Sequence, residues 1–534
     1  MIIIKLLGGL GLFVYGMKIM GDGLESAAGD GLKSILEKVT KNPIIAVVVG
    51  AIVTAVIQSS SATTVMVVGF VNAGLMNLAQ AAGIIMGANI GTTITAQLVA
   101  FKLDDIAPLF VFVGSAIIMF AKKKQKKDIG NIILGFGILF VGMGQMSGAM
   151  KPLIELPIFK DIISTVGGHW YLGILTGAII TAVLQSSSAT TGILVALATA
   201  GAIDIRAALP IVFGCNIGTC ITAMLASIGT SKTAHKAAML HLIFNLGGTI
   251  LFIPVLFNGI LGEAVKAISP GDVSRQIANA HTVFNLINTA VMLPLTGLLI
   301  KTVNIIIPGD DDDERQGPKY IDDRLLETPV IAAGQVAKET LRMANKAKKG
   351  LSLALESFEK NDEKLIQKVY DNEAIINTLN EAITTYLVKL SKRELSEKES
   401  KIVAATFHVI NDIERIGDHA ENIAELTQQK INKKLDYSIE AIEQIKRMYE
   451  KTSEALQTAI DSYASNDINK AKQVNDIERE VDRLQRKYRD LHVKRLYDGI
   501  CNAYAGTIFL DLVSNLERIS DHSMNIAESV IENN

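Results

Sequence analysis

Charge is what the first part of this sequence has least of. Residues 1–309 carry 19 basic and 12 acidic side chains, about 10% of positions, whereas residues 310–534 carry 33 and 42, about 33%. Soluble domains average roughly 25%. Two stretches, Asn42–Phe101 and Ile162–Ile203, contain no Asp, Glu, Lys or Arg at all. So little charge excludes a soluble enzyme, a nucleic-acid binder and a fibrous or disordered chain, and leaves a membrane domain followed by a soluble one. Cysteine is scarce too. Cys215, Cys220 and Cys501 cannot build a disulfide framework, which fits a reducing compartment or simple packing. No P-loop, nucleophile elbow or HExxH motif is present, so catalysis is not expected. The apolar start, MIIIKLLGGLGLFVYG, has no basic region before it and no small-residue cleavage site, and reads as a first span.

Segments long enough, or nearly so, to cross ~30 Å of hydrocarbon are Ile2–Met20, Ile106–Ala121, Ile129–Met146, Ala237–Leu256 and Thr282–Ile307. Shorter apolar pieces lie between them and are interrupted by polar or glycine-containing motifs. A helix that stops inside a membrane must satisfy its freed backbone groups against protein or a water-filled cavity. The positive-inside rule places the basic cluster Lys122–Lys127 in the cytoplasm, with Lys232, His235 and Lys236 as a second approach. Two further spans bring the acidic run Asp310–Glu314, read as a solvated linker, to the same side. The predicted location is the plasma (inner) membrane, with multiple spans and a cytoplasmic C-terminal domain.

An internal repeat organises the first half. Gly50–Thr64 (GAIVTAVIQSSSATT) and Gly177–Thr191 (GAIITAVLQSSSATT) match at 13 of 15 positions with an offset of 127. Asn89-Ile-Gly-Thr-Thr93 and Asn216-Ile-Gly-Thr-Cys220 obey the same offset, and Gly9–Met17 agrees loosely with Gly135–Met143. Two copies of a unit with short, broken apolar segments are the pattern of secondary transporters, whose site lies where the copies meet. Small and hydroxylated residues also line ordinary helix contacts in membranes. Gln58, Ser59, Ser60 and Ser61, repeated verbatim as Gln185, Ser186, Ser187 and Ser188, are too many polar groups for packing alone, because burying each unpaired costs roughly 2–7 kcal/mol.

Ser and Thr favour helix N-caps, so a helix breaking at Gln-Ser-Ser and resuming at Ala-Thr-Thr aims free N–H groups at the break. That end suits an anion, while hydroxyl, amide and unwound carbonyl oxygens suit a hard cation such as Na+. Thr64 and Thr191 complete this set. Asn89, Thr92, Thr93, Asn216 and Thr219 repeat the logic in the second motif, where glycine permits close approach. Neither repeat core holds Arg or Lys to neutralise an anion, so the countercharge must arrive with the substrate. The residues alone therefore predict a cation-coupled carrier, an anion being favoured over a neutral solute.

Paired QSSSATT motifs, each followed by GANIGTT (Gly87–Thr93) or GCNIGTC (Gly214–Cys220), together with His241-Leu-Ile-Phe-Asn245 and His281-Thr-Val-Phe-Asn285, resemble the type II sodium/phosphate cotransporter family. The resemblance covers roughly residues 1–307. It implies Na+-driven phosphate uptake, with Gln58–Ser61 and Gln185–Ser188 at the substrate and sodium site. His241 and His281 read as satisfied packing residues rather than a proton relay.

From Asp323 onward the periodicity is helical throughout. Phe407–Glu425 and Leu510–Glu528 share ER-I-x-DH followed by NIAE at an offset of 103, and Asp371–Asn377 pairs with Asp476–Asp482 at 105. The domain is thus a tandem repeat, expected as two three-helix units. Glu414/Asp418, Glu478/Asp482 and Glu517/Asp521 put like charges at i,i+4, which destabilises a helix unless a cation intervenes. The alternative is a solvated face served by Arg415 and Arg518. The ERIxDH repeat resembles PhoU, a helical regulator associated with phosphate transport. That resemblance implies divalent or iron clusters held by Asp371, Glu373, Glu414, Asp418, Asp476, Glu478, Asp482, Glu517 and Asp521, with Asn377 replacing an acid in the first copy.

The expected fold is all-α: a polytopic membrane domain of two inverted repeats with broken or re-entrant helices, and a soluble PhoU-like helical bundle. Its expected divisions are 1–126 (first repeat), 127–308 (second repeat with additional spans), 309–322 (linker) and 323–534 (cytoplasmic domain). The expected partners are inorganic phosphate, Na+ and the lipid bilayer, with no nucleic acid, and a homodimer is left open. A membrane-anchored phosphate sensor and a Na+-coupled carrier of another small anion are the alternative readings.

Overall fold

The computed structural model describes residues 2–28, 42–101, 103–309, 317–327, 329–393, 395 and 397–532. The acidic run Asp310–Glu314 lies outside them. Every described element is a helix, and no strand occurs among the described residues. The chain forms two compact units, Met1–Asp311 and Asp312–Asn534.

In the first unit the helices are α1 (Ile2–Ala28), α2 (Pro43–Ile57), α3 (Ser60–Asn72), α4 (Leu78–Val99), α5 (Ala107–Phe120), α6 (Lys124–Ile154), α7 (Pro157–Gly168) and α8 (Trp170–Leu184). They continue as α9 (Ser187–Thr199), α10 (Ile205–Ala226), α11 (Lys232–Phe257), α12 (Ile260–Ile268), α13 (Val273–Met292) and α14 (Thr296–Ile306). Five of these are long and apolar enough to cross a membrane, up to seven if each sharply bent pair is one span. The apolar run 282–307, expected as a single span, is instead two helices bent by 83°. Pro294 lies in the break, where it cannot donate a backbone hydrogen bond and its ring disrupts the preceding turn.

The repeats fold alike because their glycines force the same contact. A methyl group built on Gly87 would lie 2.0 Å from the Val47 carbonyl oxygen, and one on Gly50 2.2 Å from that of Ile84, so α2 and α4 touch backbone to backbone. The counterparts repeat this between α8 and α10: Gly214 at 2.0 Å from the Ile174 oxygen and Gly177 at 2.1 Å from the Ile211 oxygen. Such approach is how membrane helices associate without a hydrophobic driving force. Gly16 and Gly135 do the same for α1 and α6. Phe213, Phe252 and Phe284, with ring centroids 4.5–5.7 Å apart, join α10, α11 and α13.

The second unit holds α15 (Pro329–Lys360), α16 (Glu363–Leu390), α17 (Glu397–Asn432), α18 (Ile439–Ser465), α19 (Ile468–Tyr497) and α20 (Ala503–Glu532). Ile376, Leu379, Ile383 and Leu387 line one buried face of α16, the i, i+3, i+4 spacing that drives a helix into a bundle. Buried Glu339 on α15 accepts the Lys319 backbone N–H at 2.7 Å and pairs with Arg342 at 2.8 Å, fastening the segment before the bundle to its first helix.

The glycine contacts generate a prediction. Gly87→Ala and Gly214→Ala should each destabilise the membrane unit by about 1–3 kcal/mol, the usual cost of overpacking. Gly11→Ala, which meets nothing within 4 Å, should be neutral. Thermal unfolding of the detergent-purified chain, followed by size-exclusion chromatography, measures this.

Candidate functional site

Both QSSS motifs break their helices in the same way. Gln58 ends α2 in the left-handed region at φ 59°, and Gln185 ends α8 at φ 55°. A non-glycine residue held there costs energy and is sustained by its surroundings. Ser59 and Ser186 then cap α3 and α9, each accepting a backbone N–H at 3.1 Å from Ala62 and Ala189. The Thr54 hydroxyl donates to Thr63 at 2.9 Å across the first break, and Thr181 to Thr190 at 2.9 Å across the second. The starts of α3 and α9 therefore present their first N–H groups, with the positive end of the helix dipole, at two equivalent breaks.

The breaks meet. Ser61 Oγ donates to the Gln185 backbone oxygen at 3.2 Å, joining residues 124 apart. Ser60 and Ser187 are buried, Ser188 is half-buried, and Thr64 and Thr191 are buried one turn further on. Thr64 donates to the Ser61 carbonyl at 3.1 Å. Asn89, Thr92, Thr93, Asn216 and Thr219 are all buried on α4 and α10. Thr93 donates to the Ile90 carbonyl at 2.7 Å and Thr219 to that of Cys215 at 2.9 Å.

Asn89 and Asn216 are held from outside the repeats. His241 Nε2 lies 3.3 Å from Asn89 Oδ1, and Asn89 Nδ2 donates to Asn245 Oδ1 at 2.6 Å. On the other side His281 Nε2 lies 3.2 Å from Asn216 Oδ1, and Asn216 Nδ2 donates to Asn285 at 3.5 Å. Since each carboxamide spends its N–H on the second Asn, its oxygen must accept from the imidazole, which fixes the proton on Nε2. Each histidine is thus bonded through Nε2, while its Nδ1 is buried with no partner among the described residues. The sequence reading missed Thr95, whose hydroxyl donates to Gln58 Oε1 at 2.9 Å. Its 127-residue counterpart, Thr222, was the available signal.

In the second unit a carboxylate oxygen from each of Glu478, Asp482 and Asp521 lies within 4.8 Å of the others, half-buried, and these suit a hard cation. Burial and neighbouring acids push the Glu478, Glu517 and Asp521 carboxyls above their usual range. In the first three-helix repeat of this unit Glu373 is buried against Gly417, where an added methyl would lie 2.2 Å from its Oε2, and Oε1 has no hydrogen-bond partner among the described residues. Burial first, then Asp418, Glu421 and Glu414, raise Glu373 to about 8. That orphaned oxygen among acids again fits a cation. Asp371 and Asp476 sit on exposed faces, Asp371 accepting from Gln367 at 2.9 Å. Between the two three-helix repeats of this second unit His419 Nδ1 lies 2.8 Å from Asn515, and His522 Nδ1 2.9 Å from Asp412, a cross-link of the two ERIxDH copies.

These carboxyls bind protons more tightly folded than unfolded, so without metal the domain should lose stability as pH rises from about 4.5 towards 8. Glu373→Gln should flatten that dependence, with the melting temperature after chelation, scanned over this range, as the measurement.

The Na+/Pi-cotransporter family model matches residues 12–148 and 150–268, and the PhoU domain model matches 340–427 and 445–530. A candidate inorganic phosphate export protein of Escherichia coli, YjbB, is 28% identical over 99% of this chain and 97% of its own length. The uncharacterised YqeW of Bacillus subtilis is 32% identical over 55% of this chain and 95% of its own. Sodium-dependent phosphate transport protein 2B of Bos taurus is 35% identical over 30% of this chain and 23% of its own. PhoU from Pseudomonas aeruginosa superposes with a TM-score of 0.37 at 22% identity, covering 39% of this chain and 98% of that one. The chain belongs to the Na+/Pi-cotransporter family and joins that multi-pass membrane part to a PhoU domain.

Proposed function

We propose that the chain is a sodium-coupled phosphate symporter that imports inorganic phosphate across the plasma membrane by alternating access, without catalysis. The observation that carries this reading is the meeting of the two broken helices through Ser61 and Gln185, inside repeats whose motifs contain no charged side chain. Helix N-termini and hydroxyls can hold a phosphate oxyanion, but in a low-dielectric site its charge needs a counterion. Co-bound Na+ on hydroxyl and carbonyl oxygens supplies it. Coupling then follows, because neither ion is stable in the site alone.

The cytoplasmic PhoU domain regulates the carrier. Glu478, Asp482, Glu517 and Asp521, and Glu373 with Glu414 and Asp418, would hold a divalent or iron cation whose charge relieves the repulsion among them. The name of the E. coli relative supports a second reading, phosphate export. A symporter runs down whichever combined gradient is imposed, so the same site serves both directions.

In proteoliposomes an inward Na+ gradient should drive uptake of [32P]phosphate, and replacing Na+ by K+ should abolish it. Gln58→Ala and Gln185→Ala should each lower uptake at least tenfold while the protein remains folded. Flux in wild type that ignores Na+ would contradict the reading, and phosphate leaving loaded vesicles without Na+ would favour uncoupled export. For the PhoU domain, adding Mg2+, Mn2+ or iron should raise the melting temperature of the purified chain. That gain should disappear in Glu517→Gln/Asp521→Asn; an unchanged melting temperature in wild type would leave these acids a solvated face.

A further inference from the structure

Two nearly identical sequences occupy two different arrangements at one place. Several bonds recur in both repeats: the Thr54–Thr63 and Thr181–Thr190 bonds are both 2.9 Å, both serine caps are 3.1 Å, and the histidine contacts are 3.3 and 3.2 Å. The glutamines differ. Gln58 is buried at 9% exposure, and its carboxamide oxygen accepts from Thr95 at 2.9 Å. Gln185 is exposed, and its carboxamide bonds to no other described residue. Thr222, the counterpart of Thr95, turns instead to the Thr219 carbonyl of its own helix at 2.8 Å.

Two further differences fall on the same side. Thr64 donates to the Ser61 carbonyl, whereas the Thr191 hydroxyl, buried at 1% exposure, has no partner among the described residues. Ser61 reaches across to the Gln185 carbonyl, while the reciprocal bond from Ser188 to Gln58 is not formed among the described residues. The residues concerned are of the same type in both repeats, so side-chain identity at these positions does not account for the difference. What differs is conformation. A buried hydroxyl with no partner is costly, and the unbonded Thr191 hydroxyl and Gln185 carboxamide both belong to the second break.

Resting on the carrier reading above, we propose that Thr95 and Thr222 are alternating latches on the two QSSS glutamines. In this arrangement the first half is latched, with Gln58 tied to Thr95. The second half is receptive, its Gln185 carboxamide and Thr191 hydroxyl offering oxygens to the incoming Na+ and N–H and O–H donors to the phosphate. In the opposite arrangement Thr222 leaves the Thr219 carbonyl and takes Gln185, while Thr95 releases Gln58 and turns to its own helix. The threonines are positioning residues: they act through the glutamines. Alternation needs both, whichever one the resting state engages.

Thr222→Val provides the discriminating test, because among the described residues its side chain bonds only to its own helix. A static scaffold makes Thr222→Val silent and Thr95→Val harmful. Alternating latches make both harmful, each lowering Na+-driven [32P]phosphate uptake in proteoliposomes at least tenfold. Phosphate binding to the detergent-purified chain in Na+, measured by calorimetry, should stay within threefold of wild type. Thr222→Ser and Thr95→Ser, which keep the hydroxyl, should restore uptake. Wild-type flux with an unimpaired Thr222→Val would overturn the latch and leave the carrier reading standing. Equal loss of uptake and binding would also overturn the latch, making Thr222 a ligand or a folding residue. Absence of Na+-driven flux in the wild type would overturn the carrier reading and the latch with it.

Discussion

Every backbone polar group placed inside a membrane must find a partner, and the organisation of this chain follows from the two places where its helices decline to continue. At Gln58 and Gln185 the backbone turns left-handed, the ladder stops, and a serine restarts it. Hydrocarbon cannot solvate such breaks. They persist because each repeat folds the break against itself through a threonine pair, and because the two breaks face one another. The concentration of hydroxyls and free N–H groups that results is at once the structural cost of the fold and its chemical opportunity.

The glycines make the breaks possible. Gly87 and Gly214 let α4 and α10 lie against the broken helices at backbone distance, and on α4 Thr95 reaches Gln58. Asn89 and Asn216 are then clamped by a histidine and an asparagine on α11 and α13. These bonds tie α11 and α13 to the two repeats.

Much of this was legible in the sequence. A verbatim repeat of QSSSATT in charge-free surroundings can be read as paired breaks because few other structures tolerate those residues there. The helical period and the ERIxDH repeat likewise announced an all-α chain. The bend at Pro294 was also written in the sequence, but hydropathy alone ran straight through it. The inequality of Gln58 and Gln185 could not be read, since two copies of one motif encode one set of preferences and the choice between arrangements is made by the folded whole. The same holds for Glu373: its isolation depends on Gly417 of a neighbouring helix, and no spacing along one helix foretells it.

The central claim is that one site, built from both repeats, holds phosphate only together with its counterion. Calorimetric titration of phosphate into the purified chain, in Na+ and then in K+ at equal ionic strength, tests it most directly. The account predicts saturable binding in Na+ that vanishes in K+. Binding of equal affinity in both salts would contradict it.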